Sequence, residues 1–247
     1  PLVFSAANGH RCCARSIDST EKDASTTMAT EIIFHYFHGR GIGEPVRLLL
    51  SVGRVEFTDK RYTFEQFSRM EELRGSLPFG QIPALEIDGV LIGQTDSICR
   101  LAARLAQLYP PDPKEAAITD MIVVHQAEIQ SAIAKMTYDG VPGAPGTKQI
   151  PQEERDARIH AWLDEQLPGR LYSLERLVSD SYMVGGRRTW ADICVFNRLN
   201  QLLDIRETLF AVDFPKLKSV YQQVECIPEI QSWMRTHRQD YPRFKND

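Results

Sequence analysis

Pro83-Ala84-Leu85-Glu86-Ile87-Asp88-Gly89-Val90-Leu91-Ile92-Gly93-Gln94-Thr95 decides the fold. Asp88-Gly89 supplies the positive φ angles of a tight hairpin turn, and apolar residues flank it on both sides. Residues 83–87 and 90–92 therefore read as two antiparallel strands. Thr95 then opens a helix, because Ile98, Leu101, Ala102, Leu105 and Leu108 recur at helical spacing. Upstream, Ile32-Ile33-Phe34-His35-Tyr36-Phe37 is short, β-branched and aromatic, and reads as a buried strand. Gly39, Gly41 and Gly43 mark a loop. Glu44-Pro45-Val46 opens a helix, with proline in the first turn where its missing N–H costs nothing. Val46, Leu49 and Leu50 form the apolar stripe of that helix. Residues 56–62 read as a second strand and 64–74 as an irregular helix. The order is β-α-β-α-β-β-α.

Downstream, Tyr109-Pro110-Pro111-Asp112-Pro113 can continue neither a helix nor a central strand, and reads as a stiff linker. Beyond it the signal is helical only. Ile118, Met121, Ile122, His125, Ile129, Ile133 and Met136 are expected on one helix face. Val141-Pro142-Gly143-Ala144-Pro145-Gly146 breaks the chain. Ile159, Trp162, Leu163, Leu167, Leu171, Leu174, Leu177 and Val178 form a second stripe, with a kink expected at Pro168-Gly169. Thr189-Trp190-Ala191-Asp192 has the form of a capping box, and Ile193, Phe196, Leu199, Leu202 and Leu203 follow at core spacing. Phe214-Pro215 and Ile227-Pro228 start two more helices.

The expected divisions are a disordered extension over 1–27, a mixed domain over 28–108, the linker over 109–113 and an all-helical domain over 114–247. Residues 1–27 are rich in Ser, Thr and Ala and lack a sustained period. Arg11 and Arg15 among small residues suggest a transit peptide, but Asp18, Glu21 and Asp23 count against one.

The 247 residues are 43% hydrophobic and 25% charged, a composition that excludes a disordered chain and a small disulfide scaffold. Lys and Arg number 29 against 33 Asp and Glu, so no bulk charge draws the protein to nucleic acid or an anionic membrane. No apolar run reaches the roughly 18–20 residues that a membrane span needs. Cys12, Cys13, Cys99, Cys194 and Cys226 lack the spacing of a zinc site, so no metal is expected. Cys99 and Cys194 read as buried thiols of a reduced, intracellular protein.

The ensemble resembles the cytosolic glutathione S-transferase family of the tyrosine type, closest to its sigma-like class. The segment from Tyr36 to Glu44, Tyr36-Phe37-His38-Gly39-Arg40-Gly41-Ile42-Gly43-Glu44, looks like the family's catalytic-tyrosine segment. Leu77-Pro78-Phe79-Gly80-Gln81-Ile82-Pro83-Ala84-Leu85 looks like its glutathione-backbone segment. Gln94-Thr95-Asp96 stands where the family has Gln/Glu-Ser, and the capping box at Thr189 matches a helix signature of the family. The implied architecture is an α/β thioredoxin-like N-terminal domain followed by an all-α C-terminal domain.

The resemblance also implies a chemistry. A free thiol has a pKa of about 8.5, so only a few per cent is thiolate at pH 7. Tyr36 is the expected catalytic residue, donating its hydroxyl proton to the glutathione sulfur. Between Tyr36 and Glu44 there is no Ser, Thr or Cys to serve in its place. Glutathione itself is expected to contact Tyr36, Gln81, Ile82, Pro83, Gln94 and Thr95. Pro83 is expected in the cis form, so that Ile82 offers its backbone to the cysteinyl unit. Thr95, read as the N-cap, and the helix N-terminus would take the γ-glutamyl carboxylate. Phe67 or Met70 falls where sigma-like sequences carry Trp, and Arg74 where they carry Lys to pair with the glycyl carboxylate. Glu128 aligns with an acid that reaches glutathione across a dimer. His38, Ile42, Lys135 and Tyr138 are the expected electrophile pocket.

The implied function is a glutathione S-transferase attacking hydrophobic electrophiles. It would be a cytoplasmic homodimer with glutathione as cosubstrate and no bound cofactor. Two alternatives share the architecture. One is a glutathione-dependent isomerase or peroxidase resembling prostaglandin D synthase, although Ile42 stands where vertebrate forms of that enzyme have Arg. The other is a non-catalytic ligand-binding or structural relative resembling the lens S-crystallins.

Overall fold

The computed structural model describes residues 30–138, 150–210 and 214–241. The expectations for 1–27 and for the break at 141–146 lie outside them.

Strand β1 (Ile32–Phe37) is central in a four-stranded sheet. It pairs in parallel with β2 (Thr58–Tyr62) and antiparallel with β3 (Ala84–Ile87), which pairs antiparallel with β4 (Val90–Gly93) across the Asp88-Gly89 turn. Both turn residues have positive φ, 48° and 81°, as the dipeptide requires. Helices α1 (Glu44–Val52) and α4 (Thr95–Leu105) pack on each other beside the sheet. Val46, Leu49, Leu50, Ile98 and Ala102 are fully buried with Phe34, Ala84 and Leu85. Burying each larger apolar side chain stabilises the fold by roughly 1.5–3 kcal/mol. The segment read as one irregular helix is two short ones, α2 (Phe64–Arg69) and α3 (Glu71–Ser76), separated at Met70. The capping box of Thr63 with Gln66 starts the first of them.

The helical half holds α5 (Pro113–Tyr138), α6 (Gln152–Glu165), α7 (Leu167–Leu177), α8 (Trp190–Ile205), α9 (Pro215–Glu225) and α10 (Pro228–Thr236). Two expectations are corrected here. The buried seam of α5 is Thr119, Ile122, Val123, Gln126, Ile129 and Ile133, while Ile118 and Met121 are 42% and 51% exposed. The packing of α5 against α8 and α6 sets that face, and it buries polar residues that an apolar pattern passes over. At Pro168-Gly169 there is no kink inside a helix. The chain breaks at Gln166, and proline occupies the first turn of a new helix.

Helix α8 is the centre of the molecule, with Trp190, Ile193, Cys194, Val195, Phe196 and Leu199 buried. Its start is joined to the first half, since the Trp190 N–H donates to the Leu108 carbonyl at 3.1 Å. No helix among the described residues is long and apolar enough to cross a membrane.

Candidate functional site

The loop after β1 is held from below by Arg47 of α1, whose side chain is fully buried. Its guanidinium donates to the Gly39 carbonyl at 2.7 Å and the Phe37 carbonyl at 3.2 Å, and it pairs with Glu44 and Asp59. It also lies 5.5 Å from the ring centroid of Tyr36, a cation–π contact. From the side, α8 grips the same loop. Asn200 accepts from Arg40 at 2.8 Å, Asp204 pairs with Arg40, and Gln201 donates to the Gly41 carbonyl at 3.1 Å. Glu44 extends the network by accepting from Trp233 at 2.7 Å and from Tyr241. The contacts of Arg40, Gly41 and Glu44 with Asn200, Gln201, Asp204, Trp233 and Tyr241 do not follow from sequence spacing, because those partners lie in the far half of the chain.

Tyr36 sits in this frame, 7% exposed. Its ring stacks on Phe34 and tilts against Phe37. Its hydroxyl oxygen accepts from the Ile42 N–H at 3.1 Å. Gly41 and Gly43 leave room for the ring: a Cβ at Gly41 would stand 2.5 Å from the hydroxyl oxygen, and one at Gly43 2.3 Å from Cδ1.

Beside Ile42 are two cavities that share Ile42, Gln94 and Thr95. The smaller, about 90 Å³, is lined also by Phe79, Gln81, Ile82 and Pro83, and the Ile82–Pro83 peptide is cis. The larger, about 430 Å³, reaches between α4, α5 and α8, past Asp96, Gln126, Gln130, Cys194 and Arg198. Gln94 has φ 70° and ψ 118°, a backbone state that costs a non-glycine residue roughly 1–3 kcal/mol. It is Gln94, not Thr95, that occupies the N-cap of α4; Thr95 is the first helical residue. The positive φ of Gln94 turns the chain sharply from β4 into the helix, which moves the cap back by one residue. The start of a helix leaves N–H groups without intrahelical acceptors, and here that start lines both cavities. In the same turn, burial raises the Asp96 carboxyl above its usual pKa, with nearby Arg100 acting against that shift.

Ile42, Gln81, Ile82, Pro83, Gln94 and Thr95 are thus brought together, with the Tyr36 hydroxyl one hydrogen bond behind Ile42. Other expected residues stand elsewhere. Phe67 packs edge-on to Phe37 and tilted on Tyr62, 5.6 and 6.3 Å between ring centroids. Met70 lies at the α2–α3 break. Arg74 is exposed and donates to the Ser68 carbonyl at 3.1 Å. Glu128 is on an exposed part of α5 and pairs with Arg170 of α7 at 3.3 Å. His38 and Lys135 are exposed and line neither cavity. His38 instead donates its N–H to the Tyr62 carbonyl, beside β2. The Tyr138 side chain lies outside the described residues. Sequence reasoning missed Gln126, Gln130 and Arg198. The available signal was polar residues placed at helical spacing inside otherwise apolar stripes.

Comparison with known proteins places the chain in a family. The family profile described as "Glutathione S-transferase, N-terminal domain" matches residues 33–104, and "Glutathione S-transferase, C-terminal domain" matches 144–237. Mouse glutathione S-transferase A3 is 31% identical over 220 residues, covering 87% of this chain and 93% of the relative. The pi-class enzyme structure of Onchocerca volvulus superposes with a TM-score of 0.71 at 23% identity, over 85% of this chain and 94% of that one. The Fasciola hepatica sigma-class structure gives 0.69 at 23% identity, over 84% and 97%. The two structures speak to fold, an α/β thioredoxin-like half and a helical half. The mouse relative, matched along nearly its whole length, carries the family and its enzyme class: the chain belongs to the glutathione S-transferase family and is a glutathione transferase.

Proposed function

We propose that this transferase activates glutathione with Tyr36 and conjugates it to soft, largely apolar electrophiles. The observation that carries the reading is the Tyr36 hydroxyl, held at 3.1 Å by the N–H of Ile42, a residue common to both cavities. A phenol that accepts a hydrogen bond is polarised toward donating its own proton. Donation to a thiolate stabilises the anion over the thiol. Lowering a thiol pKa by about two units takes roughly 2.7 kcal/mol of such preference.

In this reading the cysteinyl backbone pairs with Ile82, and Gln81, Pro83, Gln94 and Thr95 complete the tripeptide site. Its γ-glutamyl carboxylate sits at the start of α4. Phe67 and Arg74 are outer contacts on the α2–α3 segment. The protein works in the cytoplasm as a homodimer, and the Glu128 of a second copy completes the site. Phe79, Ile118, Met121 and Val124 are 63%, 42%, 51% and 48% exposed and offer apolar surface for that contact. Purified protein is expected to be retained on immobilised glutathione and to conjugate a chromogenic aryl chloride. Retention without conjugation above background sinks the enzymatic mechanism, and failure of both sinks the site.

Gly43 gives a sharper test. Gly43→Ala places a methyl 2.3 Å from Cδ1 of Tyr36, so the ring or the loop must move. The backbone at Gly43 has φ −83°, which alanine adopts freely, so the effect comes from the clash with the ring and not from backbone strain. A misplacement of about 1 Å costs on the order of a hundredfold in rate. Steady-state kinetics are expected to show that loss in kcat/KM, with a loss of stability of about 1–3 kcal/mol from overpacking beside the ring.

A further inference from the structure

Arg198 of α8 lines the larger cavity and is 3% exposed. Its guanidinium donates to the amide oxygens of Gln126, at 3.3 Å, and Gln201. Both acceptors are neutral. Among the described residues no carboxylate stands within ion-pair distance of Arg198; the side chains that act on it are Cys194, which favours its charge, and the cation Arg40, which opposes it and is already paired with Asp204. Asp96 lines the same cavity, but the charges that act on it are Arg100 and Asp120. Burial, with Arg40 adding to it and Cys194 acting against it, lowers the Arg198 pKa to about 9, which leaves the group cationic at neutral pH. A cation removed from water is costly unless a counter-ion meets it.

A second observation points the same way. Gln130 lines the cavity as well, and its Oε1 is buried with no hydrogen-bond partner among the described residues. Gln126, Gln130 and Arg198 thus give the cavity polar lining, while Ile42, Pro45 and Val123 give it apolar lining. Gln201 connects the two regions, since it holds Arg198 and also donates to the Gly41 carbonyl of the Tyr36 loop.

We infer that Arg198 is a specificity-determining residue that receives a carboxylate, so that favoured acceptors are amphipathic acids. Their apolar body lies against Ile42 and Val123 and their anionic end meets the guanidinium. Arg suits this task because its planar fork can bind a carboxylate through two parallel bonds. The inference rests on the transferase reading above. The same chemistry could be supplied by a carboxylate of glutathione itself, and the experiment separates the two sources.

The probe is a matched pair, ethacrynic acid and its methyl ester. In each, the glutathione thiolate adds to the terminal carbon of the enone C=C. The C–S bond forms, the π electrons pass to the enolate, and the α-carbon then takes a proton. Wild-type protein is expected to favour the acid at least tenfold in kcat/KM after correction for the uncatalysed rates. Arg198→Met should abolish the preference, Arg198→Lys should retain most of it, and the KM for glutathione should stay within about twofold in both. Equal rates for acid and ester in the wild type, or an unchanged ratio in Arg198→Met, overturn the inference. So does a large rise in glutathione KM with the ratio preserved, which assigns Arg198 to the tripeptide.

Calorimetric binding of the saturated, unreactive acid and ester to the S-methylglutathione complex gives a readout that needs neither turnover nor a variant. Tighter binding of the acid supports the inference, and equal binding overturns it. Conjugation of both esterified and free acceptors at equal rates refutes the inference and leaves the transferase mechanism standing. Acid-selective binding without conjugation refutes the mechanism and leaves the anionic subsite.

Discussion

Tyr36→Phe is expected to lower kcat/KM for glutathione conjugation about fiftyfold near pH 6.5, with the fold intact. The substitution removes one oxygen. The ring keeps its stacking on Phe34, its contact with Phe37 and its place above Arg47, so the apolar packing that holds it survives. The Ile42 N–H loses its acceptor, which costs roughly 1–3 kcal/mol of stability if no other acceptor replaces it. The kinetic effect follows from the thiol. Without the hydroxyl donor, the bound sulfur titrates near its free value of about 8.5, and the thiolate fraction at pH 6.5 falls from about one half to about one hundredth, about fiftyfold. The deficit must shrink as pH rises, because above about pH 9 the thiol ionises without help. A pH series of kcat/KM on both proteins, beside their unfolding curves, checks all three expectations.

Asp192→Ala is expected to be the most damaging substitution away from the site, at about 2–4 kcal/mol. Asp192 is fully buried and accepts three hydrogen bonds: from the Met183 N–H at 2.8 Å, the Thr189 N–H at 2.7 Å and the Thr189 hydroxyl at 2.9 Å. Burial raises its pKa against the pull of those donors, so the site spends solvation to fix the loop before α8. Alanine leaves two buried N–H groups without acceptors. It also frees the start of the helix that carries Asn200, Gln201 and Asp204 to the Tyr36 loop. Denaturant titration should show the loss for Asp192→Ala and a smaller one for Thr189→Ala, which keeps the carboxylate and its two backbone donors.

The parts of the fold that could be read from sequence are those set by local rules. The Asp88-Gly89 turn, the β1 run and the proline-led starts of α1, α9 and α10 each depend on residues within a few positions. The buried face of α5 does not, since α6 and α8 choose it and they bury Thr119 and Gln126 in preference to Ile118 and Met121. The site divides in the same way. Ile42, Gln81, Ile82, Pro83, Gln94 and Thr95 come from contiguous strings whose geometry a turn and a helix start determine. Arg47 and Arg198 do not, because a buried guanidinium in an apolar stripe looks like a surface charge until partners on other elements, Asp59 for Arg47 and Gln126 for Arg198, are in place. His38 and Lys135, near the site in sequence or helix position, are exposed and line neither cavity.

The central claim is that the Tyr36 hydroxyl stabilises the thiolate of bound glutathione. Titration of that thiolate by ultraviolet difference absorbance in the binary complex tests it without any electrophile. The bound thiol should ionise about two units below the free value of about 8.5 in the wild type and close to the free value in Tyr36→Phe. Titration at the same pH in both proteins, whether shifted or not, contradicts it.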